Sequence, residues 1–416
     1  MSQISGTERK NMAKILLGCL VGCMPAQGIA AVTALLDFIY LAQYPAHDSN
    51  TLDYLQDALD QFQKNREYFI LTGVRKDFNI PKFHSLLHYI EAIQLFGTTD
   101  NYNTEMFERL HIDFAKHGWR ASNQRDEFPQ MIQWLSRQEK VISFEFHQKD
   151  LQRSQADINS EDMDSETVLL QPLSKKKASI SISKHPNFPR RKISLIEDKH
   201  NAPDFTHYLK VFLNSFIATK VPRAYLDQSK LPFEHVNVYN MFRFHPQGIH
   251  DEEEESDIVK ALPRSAQNPH GRFDTVIAIT KETAESTGLT GTRVGRVRVI
   301  FTLPDEVPSI TGLRPAPRNW PKEPLVYIEW YSTLERAANP RNGLMYRIKK
   351  VSTTVNQKTR VQGAILPLSS IRQSCMLFPI FPASVPVHWT PDSVLDHASS
   401  FYVNNWLSKY DYQTIW

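Results

Sequence analysis

The sequence predicts an α+β protein: an N-terminal helical block, then a C-terminal module with a small bent β-sheet or barrel and flanking helices. Three observations carry this. Apolar residues recur with helical spacing to about residue 150. From 151 to 203 serine, lysine and acidic residues dominate and the periodicity fades. Between about 273 and 370, short β-branched and aromatic runs follow one another, punctuated by Gly and Pro. The expected domains are therefore 1–150, a basic and disordered linker over 151–203, and 204–416.

The helical elements come in order. The run "MAKILLGCLVG" is one helix, stopped near Pro25. The next places Leu35, Ile39 and Ala42 on one face and ends at Pro45. A third opens on the capping types Asp48, Ser49 and Asn50, and Leu52, Leu55, Leu59 and Phe62 form its buried stripe. After a turn near Gly73, Pro81 opens a helix that Gly97 closes. Two more helical stretches complete the block to about 150. Beyond the linker, residues 204 to 218 have helical spacing, and strands follow. In "GRVRVIF" the strict alternation puts Val297, Val299 and Phe301 on an inner face, and Arg296 and Arg298 toward solvent or a partner. Thr390 and Pro391 read as the cap and first position of a closing helix.

Composition narrows the function. The formal charge is +3 over 416 residues, so a nucleic-acid contact must come from local patches and not from a global basic field. Cys19, Cys23 and Cys375 cannot build a disulfide framework, which fits a reducing compartment. Cys19 and Cys23, one helical turn apart, read as buried small residues. The apolar run near the N-terminus resembles a signal peptide but continues with amphipathic spacing, and it is too short to span a membrane. The acidic run at 250–257 lacks the glycine turn of a calcium loop and reads as solvated.

Two regions could carry chemistry. Glu105 and Glu108 are three apart, within reach of one helix side, and paired carboxylates can hold a divalent metal. His84 and His88, four apart, could share a metal with Glu108 or His111, or lie at a half-buried helix edge. The second region is basic. Lys175, Lys176 and Lys177, with Arg190, Arg191 and Lys192 about a dozen residues on, suit a two-part nuclear import signal or phosphate contacts, or form a solvated linker. Arg296 and Arg298 are the next candidates for DNA contact.

The blocks 12–52 and 81–141, and the strand-rich end with "GRVRVIF", "PLVYIEWYS" and "NNWLSKY", resemble in that order the C-terminal part of fungal Plavaka-type transposases, which are CACTA-like transposable elements. The similarity covers most of the chain outside 150–200. In such proteins a related helix carries a pattern that falls here on His88, Glu91, Gly97 and Phe107-Glu108-Arg109. The resemblance implies that the helical block is the C-terminal part of an RNase H-like core, in which two aspartates and a final acidic residue hold two Mg or Mn ions. It makes Glu108 the candidate catalytic residue and metal ligand, with Glu105 second. Asp37, Asp48, Asp53 and Asp60 sit in helical contexts and do not match the strand-borne aspartates. The expectation is a nuclear, DNA-associated remnant, catalytically incomplete and without a cofactor of its own, with Mg or Mn entering only if the full core were present. The alternative is a protein- or chromatin-interaction module working through the C-terminal domain. Neither involves a membrane.

Overall fold

A computed structural model describes residues 4–104, 110–158, 179–217, 219–222, 225–245, 256–281, 283–284, 288–309, 312–334, 340–355, 358–382 and 384–415. The fold is α+β, with antiparallel sheets that do not close into a barrel.

Local chemistry sets the helix ends. Ser5 caps the helix Gly6–Leu20 in a reciprocal capping box with Glu8. The carboxylate of Asp48 accepts from the Thr51 N–H at 2.8 Å, at the start of the helix Ser49–Asn65. Leu55, Leu59 and Phe62 of that helix are buried. The helix Tyr89–Phe96 stops at Gly97, whose φ of 85° is open to glycine. In the helix Ala26–Leu41 burial runs almost all round, yet Ile39, expected inside, is exposed.

The strands are β1 (Ser179–Ile182), β2 (Phe188–Lys192), β3 (His235–Tyr239), β4 (Met241–His245), β5 (Asp257–Leu262), β6 (Arg272–Phe273), β7 (Thr275–Ile279), β8 (Thr292–Thr302), β9 (Glu306–Ser309), β10 (Gly312–Pro315), β11 (Leu325–Trp330), β12 (Tyr346–Lys349), β13 (Ser352–Val355), β14 (Lys358–Val361), β15 (Gly363–Pro367), β16 (Ile371–Pro379) and β17 (Ser400–Asn404). The main sheet runs β12-β17-β16-β7-β8-β11-β15, and β3 carries β2 against the far half of β8. A second sheet, β1-β4-β5-β6, supplies Phe242, Phe244, Val259 and Phe273 to a core against one face of the first. The helices Ile193–Lys199 and Phe205–Asn214 supply Ile196, Phe205 and Leu209 to the core on the other face. The sheet is thus larger than the small sheet expected, and it is covered on both faces.

Three expectations change here. The stretch 151–203 is not a linker throughout, because β1, β2 and the helix Ile193–Lys199 occupy 179–199. The N-terminal helices are not part of a separate 1–150 block. One compact unit comprises Met1–Leu41, Asp53–Phe83 and Lys175–Trp416, and the other Ala42–Leu52 and His84–Ser174. Within the first unit a Cβ on Gly343 would overlap Leu17, Asn404 Nδ2 donates to the Lys14 carbonyl at 3.1 Å, and Tyr412 donates to Asp37 at 2.9 Å. Finally, Ser393, not Thr390, is the N-cap of the short helix Val394–His397.

Candidate functional site

The histidine pair of this candidate region sits in the second unit. Glu105 and Glu108 lie outside the described residues. Near them in sequence, the helix Pro81–Ser85 and the 3₁₀ turn Leu86–His88 bring His84 Nε2 and His88 Nε2 to 3.4 Å. Both histidines are exposed. Among the described residues no group of three or more His, Cys, Asp or Glu side chains could hold a metal ion.

This unit is unusual in its surface. Ile93 is the one large aliphatic or aromatic side chain of 84–148 that is buried, among the described residues. The long helix Glu127–Ile158 carries Phe128, Ile132, Leu135, Ile142 and Phe146 at helical spacing. Phe128 is 71 % and Phe146 72 % exposed, and Ile132 and Ile142 are exposed as well. Met131 and Trp134 of this helix pack at Gly118 of the helix His117–Ala121.

The basic candidates divide. Lys175, Lys176 and Lys177 lie outside the described residues. Arg190 sits at a register shift between Phe188 and Arg191 in the β2–β3 pairing, with φ at 48°, and its N–H donates to Asn237 Oδ1 at 3.0 Å. Arg190 and Lys192 are exposed, while the Arg191 guanidinium covers the Phe188 ring at 4.7 Å.

Arg296 and Arg298 are buried, at 4 % and 6 % exposure, which overturns their expected outward orientation. They are buried because both faces of β8 are covered, and a β-bulge sets which face each residue meets. Tyr327 pairs with Val299 but Ile328 pairs with Val297, leaving Arg298 as the extra residue. Val299 and Phe301 therefore enter the core under the two helices, while Val297 and Ile300 enter the core under the second sheet. A simple period of two does not survive the bulge. Each arginine finds a carboxylate: Arg296 Nη1 donates to Asp396 at 2.6 Å, and Arg298 Nε to Glu329 at 2.6 Å and Nη2 to Asp396 at 3.2 Å. Both guanidinium groups lie over the Phe273 ring. Burial and the adjacent Arg298 lower the Arg296 pKa, whereas for Arg298 burial is outweighed by Glu329 and Asp396, which raise it. Burial would raise Asp396, but the two arginines hold it below the usual carboxylate value. This cluster holds the sheet interior together; it is not a surface for phosphates.

One feature of the first unit was not anticipated. A cleft of about 630 Å³ is lined by Val32, Leu35, Phe62, Phe69, Phe78 and Phe83 among others, with Arg75, Lys76 and Asp77 also on its wall. Arg66 and Arg75 lie over the Phe78 ring at 5.2 and 5.6 Å. The interleaving of aromatics and arginines between Phe62 and Phe83 was a visible signal for it.

Residues 153–345 match the family described as "Domain of unknown function (DUF6830)". The match takes in β1 to β11, including both buried arginines and Glu329, and stops before β12 and Asp396. No curated protein and no solved structure matches the chain. Among the described residues, no helix is long and apolar enough to cross a membrane.

Proposed function

We propose that this chain is the C-terminal part of a Plavaka-type, CACTA-like DNA transposase, associated with DNA and unable to cut it alone. In this reading the residues 84–158 form the helical side of an RNase H-like core. Glu108, with Glu105 second, is one acid of a metal-holding set whose aspartates lie on strands of such enzymes. Mg or Mn would enter only with that set complete, because one acid cannot hold a metal pair. Lys175 to Lys177, with Arg190 and Lys192 on β2, are the phosphate contacts, and the same clusters suit nuclear import.

The observation that carries the reading is the uncovered apolar surface of the second unit. Monomeric soluble proteins rarely leave a large contiguous apolar surface open. Phe128, Ile132, Ile142 and Phe146 on one helix, with Leu95, Phe96 and Trp119 elsewhere in the unit, suit helices built to pack on a larger core.

The test is co-expression of this chain with the RNase H-like segment of a Plavaka-type transposase. The expected result is a stable complex with Mn²⁺-dependent DNA nicking that disappears in Glu108→Gln. The chain alone should bind duplex DNA weakly, with an affinity that falls steeply with salt. Failure to associate, together with DNA binding unchanged by replacing Lys175 to Lys177, Arg190 and Lys192, would favour a non-enzymatic interaction module.

A further inference from the structure

We infer that His84 and His88 form a two-histidine chelate for a borderline first-row dication, with zinc as the type ion. The argument starts from distance. The two Nε2 atoms are 3.4 Å apart. An N–H···N hydrogen bond prefers about 2.9–3.0 Å, so the contact is long for one ring donating to the other. Two nitrogens each about 2.05 Å from a tetrahedral zinc lie about 3.3 Å apart, which is the spacing found.

The local fold holds the pair in place. Pro81 opens the helical run, and the 3₁₀ turn Leu86–His88 leads into the helix Tyr89–Phe96. The ring centroids are 5.1 Å apart and the planes 76° from parallel. Both side chains are exposed. An ion bound between them therefore keeps water in its remaining positions, open to a phosphate or carboxylate oxygen. Neutral imidazole suits zinc, nickel and copper; magnesium and manganese favour oxygen donors. The site is thus distinct from the two-metal carboxylate chemistry proposed for Glu108, and it stands whether or not that reading holds.

Isothermal titration of the full chain with ZnCl₂ tests the inference. His84→Ala, His88→Ala and the double variant are compared with Cys19→Ser/Cys23→Ser, because exposed Cys19 near the end of the first helix and exposed Cys23 in the turn after it are a rival pair. The expected result is one zinc equivalent that weakens at least by the roughly 10–100-fold that losing an outer-shell partner costs in either single histidine variant, and survives in the cysteine variant. It should weaken as pH falls, since protons compete for the same lone pairs, and millimolar MgCl₂ should not displace it. Cu²⁺ bound at the same place should show two equatorial nitrogens by electron paramagnetic resonance. A zinc equivalent that persists in the double histidine variant, or that only the cysteine variant loses, overturns the proposal. So does an unchanged affinity in one of the two single variants. The substitutions lie on exposed side chains, and unchanged circular dichroism excludes misfolding as the cause of a loss.

Discussion

The two units treat apolar side chains in opposite ways. In the sheet unit every residue of β8 from Val294 to Phe301 is buried, the charged ones included, because one face is covered by helices and the other by a second sheet. In the unit containing 84–174, aromatic and aliphatic residues of the long helix stand in solvent. The difference teaches where stability resides. A strand closed on both faces is sensitive to each of its residues, while a helix with one uncovered stripe can lose a phenylalanine and remain folded.

The harshest way to break this contrast is Val299→Asp. It places a charge with no partner in a dry core and should cost more than about 4 kcal/mol. Limited proteolysis should then degrade the N-terminal helices Gly6–Leu20 and Ala26–Leu41 along with the sheet, since they belong to the same unit. Survival of an intact fragment from residue 4 to about 41 would refute that shared fate.

Arg298→Gln comes next. It strands Glu329, which is buried, and removes one of the two arginines on Asp396. Breaking a buried pair from one side costs about 3–5 kcal/mol. Urea unfolding should show that loss, and a change within about half a kcal/mol would return Arg298 to the surface.

Asp37 sharpens the comparison through pH. Burial, opposed by the Tyr412 hydrogen bond, pushes its carboxyl from 3.8 up to about 6. A carboxyl whose folded value exceeds its unfolded one holds an extra proton in the folded state. Stability is therefore full below about pH 4, falls as pH rises to about 6, and is flat above. The penalty at neutral pH is roughly 3 kcal/mol. Asp37→Asn should melt higher than the parent at pH 8, with the gap closing by pH 4. Parallel melting curves at both pH values would show that this carboxyl is not buried as described.

The smallest stability effect belongs to the uncovered stripe. Phe146→Ser should leave the melting temperature nearly unchanged, within about half a kcal/mol. The same substitution should weaken association with the co-expressed core, measured by gel filtration. A large loss of stability would mean that Phe146 is covered within this chain.

Local rules carried the sequence reading furthest where a few neighbours decide the outcome. Asp48 at a helix start, Pro81 opening the next helical run and Gly97 closing it depend on backbone groups three or four residues away. The stripe of Leu55, Leu59 and Phe62 and the α+β class were legible as well, from apolar periodicity along the chain. Residues 179–199 misled because Ser, Lys and Arg suit a linker by composition. What places β2 in a sheet is pairing with β3 more than forty residues on. Cys19 and Cys23 were expected inside and are exposed: the helix ends at Leu20, which leaves Cys23 in the turn after it, and which side of the helix is covered at Cys19 depends on the elements that pack there.

The clearest division falls within β8. The sequence alone determined that 294–301 is a strand, through its β-branched alternation. Only the tertiary structure decided where its side chains go. The bulge at Arg298 is set by the register with β11, and burial of the arginines became affordable because Glu329 and Asp396 arrive from 31 and 98 residues away. A charge enters a core only when its partner is already there, and that partner is supplied by chain topology, which no local pattern encodes.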